Sequence, residues 1–352
     1  MKIVWVSPFG WGWSVVDKLR EAGHKVVYVS PSRNGDGFLP RLAPEEAWQS
    51  YAKKADVTLV DATPASRRTR RSYDPSDLSF ELSRLRHFGS PIIGPTPTAE
   101  LIQNDPRYFR KTLRRFGLHG VPAVGTDTNQ HRPQSLFVTL GPFGQASATV
   151  RSEDFDAVIP LSVRDGLVQK CLGGLQGFLS ETHFTSYVNA ELVFVADDFY
   201  VARLLVEPLY PAGFHMLGDL LGTGLLASYP DADQPGDQEP PRSLGLAVVL
   251  NRLQEDPGSP RNIPLDLPGF FGAELHAAEG QEPKVAEPHG LVLGALVGND
   301  LRWGELTRKV QLEAERVAPQ IGGRTPVLGG LDDVPKLIED LRHRGFLSHG
   351  LV

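Results

Sequence analysis

The sequence predicts a protein of mixed α/β and α+β class: a Rossmann-like parallel sheet over residues 1–93, then a strand-rich region with few helices. Two observations carry this reading. Up to residue 93, short apolar runs alternate with amphipathic segments of helical length, and such alternation gives parallel strands joined by right-handed crossovers. Beyond that point the apolar runs follow one another across turn residues, with long helical patterns returning only near the end.

In order, "KIVWVS" reads as a buried strand, "WSVVDKLREAG" as an amphipathic helix closed by Gly23, and "HKVVYVS" as a second strand. "ADVTLVD" is a third strand, "LSFELSRLRHFG" a helix stopped by Gly89, and "SPIIG" a fourth strand. A loop then leads into a basic helix from about Pro106 to Phe116, ended by Gly117. "LFVTL", "SATVR", "THFTSYVNAELVFVADDFYVARLLVE", "LGLAVVLNRL" and "LVLGALVG" supply further strands. The turn "EDPGSP" predicts that Leu246–Leu253 pairs with Arg261–Leu267 as a hairpin. "PDADQPGDQEPPR" is an acidic, proline-rich loop, and "WGELTRKVQLEAERVAPQIGG" and "DDVPKLIEDLRHRGFL" are late helices.

At 352 residues the chain is long enough for two or three cores. Its 41% hydrophobic and 22% charged content is that of a globular protein, and a net charge of −6 gives no global attraction to nucleic acid or anionic membrane. No apolar run approaches the length of a membrane span, and the run Ile3–Val6 is too short for a signal peptide. A single cysteine, Cys171, forms neither an internal disulfide nor a cysteine zinc site, so a cytoplasmic location is expected.

Several motifs bear on chemistry. "SPFGWGWSVVDKL" places Gly10 and Gly12 in a strand-to-helix turn, where backbone N–H groups can hold a phosphate at the helix N-terminus. The spacing is not G-x-G-x-x-G and no acid closes the second strand, which argues against a dinucleotide. Trp11 and Trp13 in the same turn can equally pack on a neighbouring lobe or a protein partner. Four arginines within Arg67–Arg71 read as a solvated loop or as a phosphate or nucleic-acid contact, with no aromatic platform beside them. "LGDLLGTG" carries Gly218, Asp219, Gly222, Thr223 and Gly224, whose backbone N–H groups and hydroxyl suit a small anion; it can also be a plain turn. The histidines show no metal spacing, there is no G-x-S-x-G elbow, and Cys171 has no base nearby in sequence. Glu191 lies in a long apolar strand and Glu207 just after it, as an edge-strand carboxylate or one facing a cleft.

Taken in order, "VWVSPFGWGWSVVDKL", "GPT" followed by a helix ending "FGL", "HMLGDLLGTGLLASY", "GLVLGALVGNDLRWGELTRKVQLEAERV" and "GGRTPVLG" resemble pieces of phosphoribosylamine–glycine ligase, a family of the ATP-grasp superfamily. The resemblance implies a two-lobed ATP-grasp fold after the N-terminal domain, with a first lobe at 94–180 and a second lobe with the C-terminal region at 181–352. It implies ATP-dependent ligation of a small-molecule carboxylate to an amine through an acyl phosphate, with Mg2+. The physics of such a site is positioning and neutralisation of the phosphoryl group in flight.

Residue by residue, the family's lysine at the start of its helix falls near Pro106, which makes Arg107, Arg110 and Lys111 the ATP-binding candidates. A second family lysine, in V-K-x-x-G, is replaced by Thr139 in "LFVTLGPFG", while Gly141 and Gly144 persist. Where the family has a metal-binding carboxylate and a Glu-x-Asn pair, this chain offers Asn251 and Asp266. Gly10, Gly12 and the 218–224 loop are the substrate-binding candidates. These departures point away from the standard phosphoribosylamine and glycine pair. They leave open a second expectation, a catalytically inactive member acting as a binding or structural module through a protein partner or a homo-oligomer.

Overall fold

Four short apolar runs, each rich in valine or isoleucine, build the first layer of the computed structural model. The residues it describes are 1–7, 13–29, 48–61, 75–118, 120–121, 135–142, 146–175, 185–195, 198–209, 244–251, 270–271, 275–276, 284–285, 292–300, 302–320, 325–326 and 328–348. Strands β1 (Lys2–Val6), β2 (Lys25–Val29), β3 (Val57–Val60) and β4 (Ile92–Ile93) form a wholly parallel sheet in the order β2-β1-β3-β4. Helices α1 (Trp13–Glu21), α2 (Gln49–Ala52) and α3 (Pro75–His87) fall between them in the chain. Leu78, Leu82 and Leu85 recur at helical spacing on α3 and pack on Val4, Val6, Val60 and Ile92. Gly23 and Gly89 follow α1 and α3 at φ of 86° and 82°, the left-handed stops expected of them.

The basic helix is present as α5 (Pro106–Arg115), but the stretch before it is not a loop. Pro97–Asn104 forms another helix, α4, capped by Thr96, whose hydroxyl accepts from the Ala99 N–H at 3.2 Å. Proline at the first position of both helices and the Asp105 cap between them break the run in two.

The second layer is an eight-stranded sheet. Its strands are β5 (Ser135–Leu140), β6 (Ala146–Arg151), β7 (Phe155–Leu161), β8 (Val188–Val195), β9 (Asp198–Leu205), β10 (Leu244–Asn251), β11 (Phe270–Phe271) and β14 (Val292–Asp300), in the order β11-β14-β10-β7-β6-β5-β8-β9 with every pairing antiparallel. A separate ladder joins β12 (Leu275–His276) to β13 (Lys284–Val285). The sheet takes strands from both sides of residue 180, since β5 pairs with β8 and β7 with β10.

The expected partner of the 246–253 strand is corrected. Over Gly245–Val248 one edge of β10 is held by β7 and the other by β14, so no edge is left there for Arg261–Leu267. The turn and the second arm of that hairpin lie outside the described residues.

One face of this sheet is apolar, with α6 (Gly166–Leu172) packed on β5 and α7 (Trp303–Val317) on β10 and β14, while α8 (Asp333–His343) adds Val334, Ile338 and Leu341 to the same core. Val138, Ala148, Val150, Ala157 and Val248 belong to one core with Leu167, Leu306 and Val310. Gly298 on β14 lets α7 close in, because a Cβ at that position would stand 2.6 Å from Val310 Cγ2. The C-terminal segment docks on the start of α6: Ser348 N–H donates to Asp165 at 2.9 Å and Leu167 N–H to Phe346 O at 3.0 Å.

Candidate functional site

The opposite face of the large sheet carries polar side chains on neighbouring strands. Thr139 on β5 lies directly across from Asn189 on β8. The Thr139 hydroxyl donates to Asn189 Oδ1 at 2.7 Å, and Asn189 Nδ2 donates to Glu207 O at 2.6 Å. Both side chains are fully buried. The chain leaving β9 is thereby pinned from below, and Val206 N–H donates to Gln103 Oε1 on α4 at 2.9 Å. Leu209 then settles against Phe137 and Val158 on this same face. Position 139, where the resemblance would put a cationic side chain, is therefore closed by a neutral pair.

Charge on this face is matched internally. Arg151 stands across from Asp156 and forks onto it, with Nε to Oδ1 at 2.8 Å and Nη2 to Oδ2 at 2.6 Å. The guanidinium also lies over the Phe137 ring at 5.3 Å. Burial pulls the Arg151 pKa down, but the charge and hydrogen bonds of Asp156, with a contribution from Glu191, outweigh it and hold the group above its usual value. Glu191 in turn accepts from Arg203 Nε at 2.8 Å. Thr149 on β6, also buried, has a hydroxyl that meets no hydrogen-bond partner among the described residues.

The three cations expected to meet phosphate sit elsewhere, on α5. Arg107, Arg110 and Lys111 are brought onto one solvent-exposed face, since positions i, i+3 and i+4 of a helix are neighbours. Arg114 and Arg115 continue that face by a further turn, while Thr112 and Leu113 turn into the core. Among the described residues no carboxylate pairs with Arg107, Arg110, Lys111 or Arg114; Arg115 lies over the Phe116 ring at 5.1 Å. Five like-charged neighbours result: Arg107 with Arg110 and Lys111, Arg110 with Arg114, and Lys111 with Arg114 and Arg115. Each such neighbour costs a helix about 0.2–0.5 kcal/mol.

Other candidates fall outside the described residues: Gly10, Gly12, Trp11, the 67–71 arginines, Gly144, the whole loop from Gly218 through Asp219, Gly222 and Thr223 to Gly224, and Asp266. Asn251 ends β10 opposite Val292, where the register slips. Among the described residues no group of three histidine, cysteine, aspartate or glutamate side chains could hold a metal ion. Cys171 is buried on α6, and burial pushes its thiol up to about 12, which fits a core residue. No helix among the described residues is long and apolar enough to cross a membrane.

Sequence reading missed Asn189, Arg151 and Asp156. "VRSEDFD" did carry a signal for the last two. An arginine and an aspartate flank the four residues Ser152–Phe155 at mirrored positions, and a hairpin brings such positions face to face.

The parallel sheet leading into a long antiparallel one is a fold found among solved ligases, synthetases and carboxylases. Phosphoribosylamine–glycine ligase from Thermotoga maritima matches with a TM-score of 0.58 at 10% identity, over 92% of this chain and 98% of its own. N5-carboxyaminoimidazole ribonucleotide synthetase from the same organism matches with a TM-score of 0.52 at 15% identity, over 90% of this chain and 98% of its own. The biotin carboxylase subunit of pyruvate carboxylase gives 0.55 at 10% identity, over 89% and 90%. The resemblance read from the residues is borne out at the level of the fold. No family model matches the chain, and no curated protein matches it.

Proposed function

We propose that this protein is a divergent ATP-grasp ligase that joins a small-molecule carboxylate to an amine through an acyl phosphate, on a pair other than phosphoribosylamine and glycine. The observation that carries the reading is the chain-long likeness in fold to a ligase and a synthetase, each covered over 98% of its own length. In this reading residues 1–93 are a Rossmann-like domain, and 94–180 and 181–352 supply the two ATP-grasp lobes. Arg107, Arg110 and Lys111 screen the phosphates, and Gly10, Gly12 and the Gly218–Gly224 loop seat the substrates. The described donors alone do not make a magnesium shell. Asn251 and Asp266 would have to provide it together with phosphate oxygens and water.

A specific observation favours a second reading, a non-catalytic binding or structural module. The buried Thr139–Asn189 pair stands where the resemblance would put a phosphate-binding lysine, and it offers no charge to a phosphoryl group.

A thermal-shift titration with Mg·ATP separates the two. A ligand at a hundred times its Kd adds about 2.7 kcal/mol to stability, enough to move the melting point by several degrees. A saturable shift with Mg·ATP, followed by ADP release only when a carboxylate and an amine are both present, supports the ligase. A flat titration with every nucleotide tried sinks it and leaves the module.

A further inference from the structure

The ligase reading draws on the first two turns of α5, yet the exposed cations run on to Arg114 and Arg115. We propose that this whole outer face is a docking surface for the phosphodiester backbone of a duplex nucleic acid. The face holds five cations within residues 107–115 and the helix itself contains no acid. Among the described residues the carboxylate beside it is the Asp105 cap, which accepts from the N–H groups of Arg107 and Tyr108 at 2.7 and 3.2 Å. α8, a helix that mixes acids with bases, pairs its exposed cations instead. There Lys336 is paired with Asp333, Arg342 and His343 with Glu339, and Arg344 with Asp340.

The chemistry of the face selects the partner. Four of its five cations are arginines, whose planar forks match phosphate oxygens. With a rise of about 1.5 Å per residue the row is about 12 Å long, enough to follow successive phosphates along one strand. No exposed aromatic interrupts it, because Tyr108, Phe109 and Phe116 are partly buried against the core. A single-stranded partner would want such rings for stacking. Contact is therefore to the backbone of a duplex and blind to sequence. The overall charge of −6 does not oppose this, since attraction at contact distance is set by the local face.

The test is fluorescence anisotropy of the full chain with a short labelled DNA duplex at two salt concentrations. About four phosphate contacts, each releasing about 0.9 counterion, predict binding about a hundred-fold weaker at about 200 mM salt than at about 50 mM. Replacing both Arg114→Gln and Arg115→Gln should cut the salt slope by about two. The same variant should leave the Mg·ATP thermal shift and the far-ultraviolet spectrum as in the wild type. Three results overturn the proposal: no duplex binding at low salt, capture of polyglutamate in preference to the duplex, or duplex binding that Mg·ATP displaces and the double variant does not weaken. The first two leave the ligase reading untouched; a flat Mg·ATP titration beside intact duplex binding removes only that reading.

Discussion

On β6 one guanidinium is held against its own carboxylate, whereas on α5 a row of cations faces solvent and four of its members meet no carboxylate among the described residues. The two regions differ in what their charge is for. Asp156 is almost wholly buried and Arg151 half-buried, so the carboxylate is tolerable there because the guanidinium is beside it. That charge is matched within the sheet. The α5 row repels itself along the helix, and Arg107 stands near the positive end of the macrodipole, where a cation is disfavoured. An arrangement that costs stability and buries nothing is a candidate for binding anions. The difference also says where a phosphate would go: toward the helix, and not to the strand face that Thr139 and Asn189 have sealed.

The largest expected effect comes from breaking the closed pair. Asp156→Ala takes the carboxylate fork from a half-buried guanidinium and should cost about 1–3 kcal/mol in urea denaturation. Arg151→Leu combined with Asp156→Leu should cost clearly less, since no lone charge remains. Equal losses for the single and double variants would mean that packing, and not charge, governs that ladder.

A smaller change should appear on α5, with the opposite sign. Arg110→Glu places a carboxylate one turn before Arg114 and one turn after Arg107. It should therefore raise stability by a few tenths, up to about 0.5 kcal/mol, while weakening anion binding. A loss of stability would show that the row is not repelling itself.

The smallest effect concerns α8. Hydrogen bonding from Arg342, helped by its charge and by that of His343, holds the Glu339 carboxyl below its usual value of 4.5. A lowered folded pKa stabilises above the unfolded value, and that contribution fades as pH falls from about 4.5 through the folded pKa. Because the residues are exposed the change should be slight, and 0.5 M salt should flatten it further. Glu339→Gln should remove the acid-side slope assigned to it. α5 contains no carboxylate, so it should show no matching change.

Much of the frame was legible because it rests on local signals. The four parallel strands, the glycine stops after α1 and α3, the basic helix and the two late helices all follow from periodicity and caps. The helix at Pro97–Asn104 went unread although Thr96-Pro97 is a cap followed by a first-position proline. The partner of β10 was read wrongly for a different reason. "EDPGSP" is a strong local turn, but pairing along Gly245–Val248 is decided by β7 and β14, far away in sequence. The candidate site divides in the same way. The cations of α5 share a face by helical geometry alone, so spacing reveals them. The meeting of Thr139 with Asn189 joins residues fifty positions apart, and no spacing rule anticipates it.

The claim that anions are met on the helix and not on the sealed strand face is tested most directly by hydrogen exchange with and without saturating Mg·ATP. New protection is expected of amides within Pro106–Arg115, with little change across Ser135–Arg151. Protection confined to Ser135–Arg151, with α5 exchanging as it does in the free protein, would contradict it.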